Sequence, residues 1–437
     1  KNKFNVYEET IQLEKIYMGR FPIMLQSNMC LLKSLAPEAR FNMGECRNDP
    51  GGYFIIDGKE KAIVSQEGRA DNMLYVLKDI NELYSYAAEI RSVSEDASKP
   101  IRTLSVRIVS PTDSYTNNQI VVNLPNVRKP MPLFIVMRAL GVLSDKDIIK
   151  YCLLDLEKYH TYIDLFIPCI HDAGEIFSQN QALKYIATFT KHKTVSHSLE
   201  ILTNYFLPHI GEMNFISKAY YLGYMVKELL RVYTKDIKPT DRDSFRFKRI
   251  ELPGSLIYDL FKEYYTKQQK NIYQKIDKEF TYKKSIYMDN FVGLIEQNYR
   301  DFFSERIVET GFKKGYKGNW GSEEATKRLG LCQTLNRLSY NSALSQLRKI
   351  NLPMVLTKIV KPRLLNGSQW GIIDPVDTPD GGNVGLHKHM ALGAYITTNC
   401  SSKPLILWLR NNGLRLLEES TTEFIGSMTK LLVNGNW

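Results

Sequence analysis

Residues 374–383 read Asp374-Pro375-Val376-Asp377-Thr378-Pro379-Asp380-Gly381-Gly382-Asn383, with a carboxylate at every third position from Asp374 to Asp380. Carboxylates gathered to one side could hold Mg²⁺ or Ca²⁺. Pro375 and Pro379 forbid a helix here, so the spacing does not set the three on one helical face. The string also lacks the Asp-x-Asp-x-Asp-Gly order of a calcium loop. Thr378-Pro379-Asp380-Gly381 is instead what a tight turn requires, with Pro second and Gly fourth. A turn is the favoured reading. The alternative, a self-contained enzyme built on Asp374, Asp377 and Asp380, needs a bound divalent ion.

Ahead of that string lies a basic window. From Ala325 to Ile373 the chain holds Lys327, Arg328, Arg337, Arg348, Lys349, Lys358, Lys361 and Arg363 and no acidic residue, although 47 of its 437 residues are Asp or Glu. Leu335, Leu338, Leu344 and Leu347 recur there at helical spacing, which predicts a buried apolar stripe. Arg337 and Arg348 would then lie about three turns apart on a shared cationic face. Such a face suits a nucleic-acid backbone, and a merely solvated basic face explains the composition equally well.

Other chemistry is sparse. Gly315, Gly318 and Gly321 form a GxxGxxG series, but no Gly-Lys-Ser/Thr follows, so no P-loop is encoded. Neither a G-x-S-x-G elbow nor an H-E-x-x-H pair occurs. His387 and His389 are the one close histidine pair, with no Cys or Glu spaced to complete a metal site. Cys30, Cys46, Cys152, Cys169, Cys332 and Cys400 never form a CxxC pair, which argues against a zinc ribbon and a disulfide-stapled secreted domain. A reducing, intracellular setting fits them best. No catalytic residue and no metal ligand is assigned.

The elements that must carry these residues fall into blocks. Phe21–Leu25, Tyr53–Gln66, Met73–Leu77, Ile101–Val109 and Gln119–Leu124 read as strands, with Asp57-Gly58 as a hairpin turn. The period then becomes helical: Pro132–Leu140, Asp145–Leu154, Asn180–His192 and Ser217–Val232 are the expected helices, with Ser144 as cap of the second. Asp236–Phe247 is highly charged, contains Pro239 and marks a boundary, after which residues 255–310 are helical again. The expected fold class is therefore α+β, multidomain, with mixed sheets and helices in separate blocks rather than a βαβ alternation.

Composition bounds the rest. A chain of 437 residues with 43% hydrophobic residues can build two to four ordinary cores, and 24% charged residues is not the signature of disorder. The net charge of +11 favours polyanionic partners. The most apolar stretch, Pro132–Leu143, is too short to span a bilayer and carries Arg138, so no membrane partner is expected. No signal peptide precedes it, and both chain ends read as cuts in a longer protein.

The strings LNRLSYNSALSQLRKINLP (335–353) and KPRLLNGSQWGIIDPVDTPDGGNVGL (361–386) resemble the fork region of the second-largest subunit of multisubunit DNA-dependent RNA polymerases. Upstream, GRFPIMLQSN, GGYFIIDGKEKAIVSQE, PLFIVMRALG, FLPHI, YYLGYM, DRDSFRFKRIELPG and KGNWG resemble the same family in the same order. The likeness runs from about residue 16 to 437 and is closer to the eukaryotic, archaeal and large-DNA-virus branch than to the bacterial one.

That resemblance implies a protrusion (1–117 and 254–312), a lobe (118–253), a fork (313–400) and the start of an external region (401–437). It implies one wall of a DNA cleft, with the fork touching the RNA–DNA hybrid and the separating strands. Arg337, Gln346, Arg348, Lys349, Lys361 and Arg363 would lie near nucleic acid, and Asp380 and Asn383 near the nucleotide site. The loop between Pro353 and Lys361 would be the second fork loop. Asp377 and Asp380 stand where the family has glutamates, so contacts there would be water-mediated.

The implied partners are the largest and the other polymerase subunits, template and non-template DNA, and the hybrid. In the family Mg²⁺ is bound by the largest subunit, so this segment needs no cofactor and would not catalyse alone. A free-standing basic nucleic-acid-binding or regulatory protein on the same fold is the alternative.

Overall fold

A computed structural model describes residues 10–112, 117–288, 290–353 and 359–437. Strands form three blocks along the chain. The first holds β1 (Phe54–Ile56), β2 (Lys59–Ile63) and β3 (Ser65–Arg69). The second holds β4 (Leu74–Lys78), β5 (Tyr84–Ser92), β6 (Arg102–Val109), β7 (Ile120–Asn123) and β8 (Met131–Pro132). The third holds β9 (Lys248–Glu251), β10 (Cys332–Thr334), β11 (Lys349–Asn351) and β12 (His387–His389). The second block pairs with itself in the order β4-β5-β6-β7-β8, whereas the first and third interleave as β1-β2-β10 and β12-β11-β3-β9. The class is α+β, with sheets and helices in separate blocks.

Two compact units result, Lys1–Gly68 with Asp243–Ile396, and Arg69–Arg242 with Thr397–Trp437. The units exchange at 68/69, whereas a cut at 117/118 would part β6 from β7, which are hydrogen-bonded through Ser105↔Asn123 to Ile108↔Ile120. The tail from Thr397 belongs to the second unit rather than standing apart.

In the first unit, β1 and β2 form the expected hairpin. Asp57 (φ 49°) and Gly58 (φ 74°) both take the left-handed conformation that a two-residue turn needs to match strand twist. The strand expected at Phe21–Leu25 does not form. Pro22 lacks a donor; Leu25 N donates to Tyr53 O (2.9 Å), Gly52 N to Leu25 O (3.0 Å) and Ser27 N to Met24 O (3.2 Å), which makes no strand ladder. Its apolar content packs on helices instead, with the Phe21 ring 5.3 Å from Phe312 and 5.8 Å from Phe261.

The second unit buries the five-stranded sheet under helices close to those the periodicity predicts. These are α1 (Leu133–Ala139), α2 (Asp145–Leu153), α3 (Gln179–Thr188) and α4 (Phe215–Tyr233). Ser144 occupies the cap position of α2 but makes no side-chain capping bond. Every residue of α1 is buried, including Arg138, whose guanidinium donates to the Asp145 carboxylate and the Ile176 carbonyl. Lys218 is equally buried, its ammonium donating to the carbonyls of Leu202 (2.7 Å), Thr203 (2.9 Å) and Glu212 (3.3 Å). Among the described residues no helix is long and apolar enough to cross a membrane.

His209 gives this unit an acid-sensitive point. Its Nδ1 lies 2.7 Å from Ser92 Oγ, its ring stands edge-on to Tyr221 at 4.9 Å, and burial pushes its pKa from 6.5 down to about 4. The fold therefore holds the neutral ring. Its contribution to stability is complete above pH 6.5 and is lost as pH falls through about 4. Thermal unfolding at pH 7 and pH 5 should show a smaller acid-induced drop in Tm for His209→Asn than for the parent. Equal drops would show that the ring carries no such linkage.

Candidate nucleic-acid interface

The basic window does not form the single helix that its leucine spacing predicts. Helix α5 covers only Tyr340–Leu347, because Ser339 caps it: Ser339 Oγ accepts from Ser342 N and Ser342 Oγ accepts from Ser339 N, each at 3.1 Å. Ser339 itself is extended (φ −150°), so the helix cannot continue back to Leu335. Leu335 is buried beside Tyr53, Ala62 and Ala343, but Leu338 is 90% exposed. Arg337 precedes the cap and Arg348 is the C-cap, so the two share no helical face. A capping residue inside an apolar period overrode the period.

Each candidate side chain has a distinct environment. Arg337 is neutralised within the chain: Nε lies 2.8 Å and Nη2 2.9 Å from the Glu60 carboxylate oxygens, Asp49 is at 3.5 Å, and the guanidinium covers the Tyr53 ring at 5.0 Å. Gln346 pins the preceding stretch to the helix, accepting from Asn336 N (2.6 Å) and donating to Thr334 O (3.0 Å). Arg348 donates to the carbonyls of Ala391 (2.7 Å), Leu392 (3.3 Å) and Ala394 (3.5 Å). Carbonyl oxygens orient the guanidinium without cancelling its charge.

Lys349 lies half-buried in β11, opposite His389 of β12. Lys361 is exposed at the start of a short 3₁₀ turn, Lys361–Arg363. Arg363 donates to the carbonyls of Gly382 (2.7 Å) and Val384 (3.0 Å), and so grips the loop that carries Asp380 and Asn383. Those two residues flank and end the 3₁₀ turn Gly381–Asn383, and both are exposed. Residues 354–358 of the expected second fork loop, Lys358 among them, lie outside the described residues.

The carboxylate string folds on itself. Asp374 Oδ1 accepts from Val376 N (3.0 Å) and Asp377 N (3.3 Å), an Asx turn. The Asp377 carboxylate lies 3.2 Å from His389 Nδ1. Thr378 Oγ1 donates to His387 O (3.0 Å) and accepts from Gly385 N (2.9 Å), fastening the loop to β12. The backbone bond that closes the turn runs from Val384 N to Gly381 O (3.2 Å), later than the Thr378–Gly381 turn expected from Pro379. Among the described residues no group of three or more His, Cys, Asp and Glu is arranged to hold a metal ion.

One cluster under this surface escaped the sequence reading. Glu67 of β3 lies between Lys388 of β12 (2.6 Å) and Lys248 of β9 (3.0 Å), with side-chain exposures of 2%, 8% and 10%. It ties the two edge strands of its sheet together across β3 and supports the strand onto which Thr378 is fastened. The available signal was Lys388 itself, the inward position of an alternating His-Lys-His strand.

The chain was compared with known proteins. Residues 2–295 match the family model described as RNA polymerase beta subunit, and residues 333–396 that of RNA polymerase Rpb2, domain 3. The DNA-directed RNA polymerase II subunit RPB2 of Schizosaccharomyces pombe is 33% identical over 445 aligned positions, covering 99% of this chain and 36% of that protein. DNA-directed RNA polymerase II subunit 2 of Arabidopsis thaliana is 35% identical over 444 positions, covering 98% and 36%. The subunit Rpo2 of Saccharolobus shibatae is 30% identical over 414 positions, covering 93% and 34%. The chain thus spans a little over a third of the length of the first two relatives.

Proposed function

The chain belongs to the RNA polymerase beta subunit family as a segment of the second-largest subunit, and from that premise we propose that it lines the nucleic-acid cleft of a DNA-directed RNA polymerase. In this reading residues 313–400 form the fork, and the surface around Arg348, Lys349, Lys361 and Arg363 faces the RNA–DNA hybrid and the separating strands. Asp380 and Asn383 stand at the nucleotide side of the loop that Arg363 grips. The largest subunit supplies Mg²⁺ and the phosphoryl-transfer chemistry, which needs metals and in-line positioning. This segment contributes walls and cations.

The observation that carries the proposal is the contrast between Arg337 and Arg348. One is matched by Glu60, whereas the other keeps its charge while three carbonyls fix its position. Among the described residues Arg348 has no counter-ion, and a positive group oriented in this way is prepared for phosphate. Salt titration of nucleic-acid retention by the assembled enzyme tests this. Arg348→Gln should reduce the log–log slope by about one, as for one lost phosphate contact, and Arg337→Gln should change it far less. Equal slopes in parent and Arg348→Gln would remove Arg348 from the interface. Gentle purification with mass spectrometry supplies the second test: recovery with a larger polymerase subunit is expected, and recovery alone would favour a free-standing nucleic-acid-binding protein.

A further inference from the structure

Side chains clasp the loop that carries Asp380 and Asn383 at several points. Arg363 grips it through the Gly382 and Val384 carbonyls, and Thr378 fastens it to β12. A further attachment precedes both: His389 Nδ1 lies 3.0 Å from the Asp377 carbonyl oxygen and 3.2 Å from its carboxylate. Carbonyl and carboxylate oxygens only accept, so Nδ1 carries the proton, and the ring donates to Asp377 whether it is neutral or charged.

The two sides of that pair differ in rigidity. His389 belongs to β12, where Lys349 of β11 is its register partner and Asp374 N donates to its carbonyl (2.9 Å). Its neighbour Lys388 is held by the buried Glu67 carboxylate. Asp377 lies outside any helix or strand, and its side chain is 54% exposed against 13% for His389. A donor on a sheet therefore sets the place of an acceptor on a loop. Beyond Asp377 a displacement has little room to dissipate. Thr378 is tied to His387 O and Gly385 N, Pro379 has its φ locked by its ring, and Asp380 follows directly.

His387 faces the same side of β12 as His389, but its ring plays another part. Burial, Lys349 and His389 push its pKa down, which keeps that ring neutral at pH 7. Its contribution to the loop is its backbone carbonyl, taken by Thr378. We propose that His389 is a positioning residue: its Nδ1–H fixes Asp377 and so sets where Asp380 and Asn383 meet an incoming nucleoside triphosphate. This role rests on the reading of that loop as the nucleotide side of the fork.

The test measures KM and kcat for one nucleoside triphosphate with the assembled enzyme that contains this chain. In His389→Asn the amide Nδ2 stands where Nδ1 stood and donates in its place, whereas His389→Leu fills similar space without a donor. His389→Leu should raise KM about fivefold, the effect of roughly one lost hydrogen bond, and leave kcat within about twofold. His389→Asn should restore most of the loss. In an Asp377→Ala background His389→Leu should cost less than it does alone, because the two act through one contact. Should His389→Leu fail to assemble, Asp377→Ala is read for the same rise in KM, and no rise would overturn the proposal. An unchanged KM in His389→Leu while Asp380→Ala raises it would overturn the role of His389 and leave the loop's assignment standing. An unchanged KM in both would overturn the two together. Equal losses in His389→Asn and His389→Leu would also overturn it, by showing that the ring acts through its packing and not through its N–H.

Discussion

Replacing Glu67 by Gln should destabilise the first unit by about 3–5 kcal/mol, the range for removing one partner of a buried ion pair. The carboxylate is 2% exposed and lies 2.6 Å from Lys388 and 3.0 Å from Lys248, each of which is at most 10% exposed. A neutral amide keeps the shape but leaves two buried ammonium groups facing each other without a counter-charge. The cost arises from those stranded charges rather than from the lost contact, so a second substitution should relieve it. Lys388→Met added to Glu67→Gln should recover part of the loss, and a double-mutant cycle in urea would measure how much.

A loss below about 1 kcal/mol, typical of exposed pairs, would mean that water reaches the cluster. The consequence for the proposed interface is specific. β12 anchors Thr378 and through it the loop bearing Asp380 and Asn383, so loop order should fall together with stability.

Gly223→Ala should produce the second large effect, in the other unit. Gly223 sits in α4 where that helix crosses α2, and a Cβ built there would lie 2.4 Å from the Tyr151 carbonyl oxygen and 2.8 Å from its carbon. Both obstacles are backbone and cannot rotate away. Intrinsic propensity favours Ala over Gly inside a helix by about 1 kcal/mol, so the sign of the result separates local preference from packing. Overpacking of this kind costs about 1–3 kcal/mol or more, and a net loss of Tm is expected. A gain would show that α2 and α4 can separate freely.

Much of this was legible in the chain. The Asp57-Gly58 hairpin follows from a dipeptide that tolerates positive φ, and both residues adopt it. The helices at Leu133–Ala139, Asp145–Leu153, Gln179–Thr188 and Phe215–Tyr233 follow from a 3.6-residue apolar period and lie within a few residues of the expected spans. The prolines in the carboxylate string ruled out a helix, and Asp374 duly turns its carboxylate on its own backbone. The likeness to RNA polymerase subunits was carried by short ordered strings, and the family models match the stretches that hold all of them except KGNWG.

Reading by period failed where a local device cut across it. Leu335 to Leu347 kept helical spacing, but the reciprocal Ser339–Ser342 bonds start the helix late and leave Leu338 in solvent. Phe21–Leu25 looked like a strand by composition, but Pro22 could not join a ladder. The inner strand β5, Tyr84–Ser92, was passed over although both its neighbours in the sheet are continuous.

What the sequence determined by itself was therefore local and familial: where most helices lie, where the chain must turn, and which family its strings resemble. Which charges meet was decided only in three dimensions. Arg337 finds Glu60 at a separation of 277 residues and Lys388 finds Glu67 at 321, because β10 joins β2 and β11 joins β3. Backbone preferences act over a few residues, whereas the field at a side chain depends on whatever the fold brings within a few ångströms. Eight cations without an acid in one window looked alike as sequence. The strand pairing decided that Arg337 is matched by a carboxylate and that Arg348, among the described residues, is held by carbonyls.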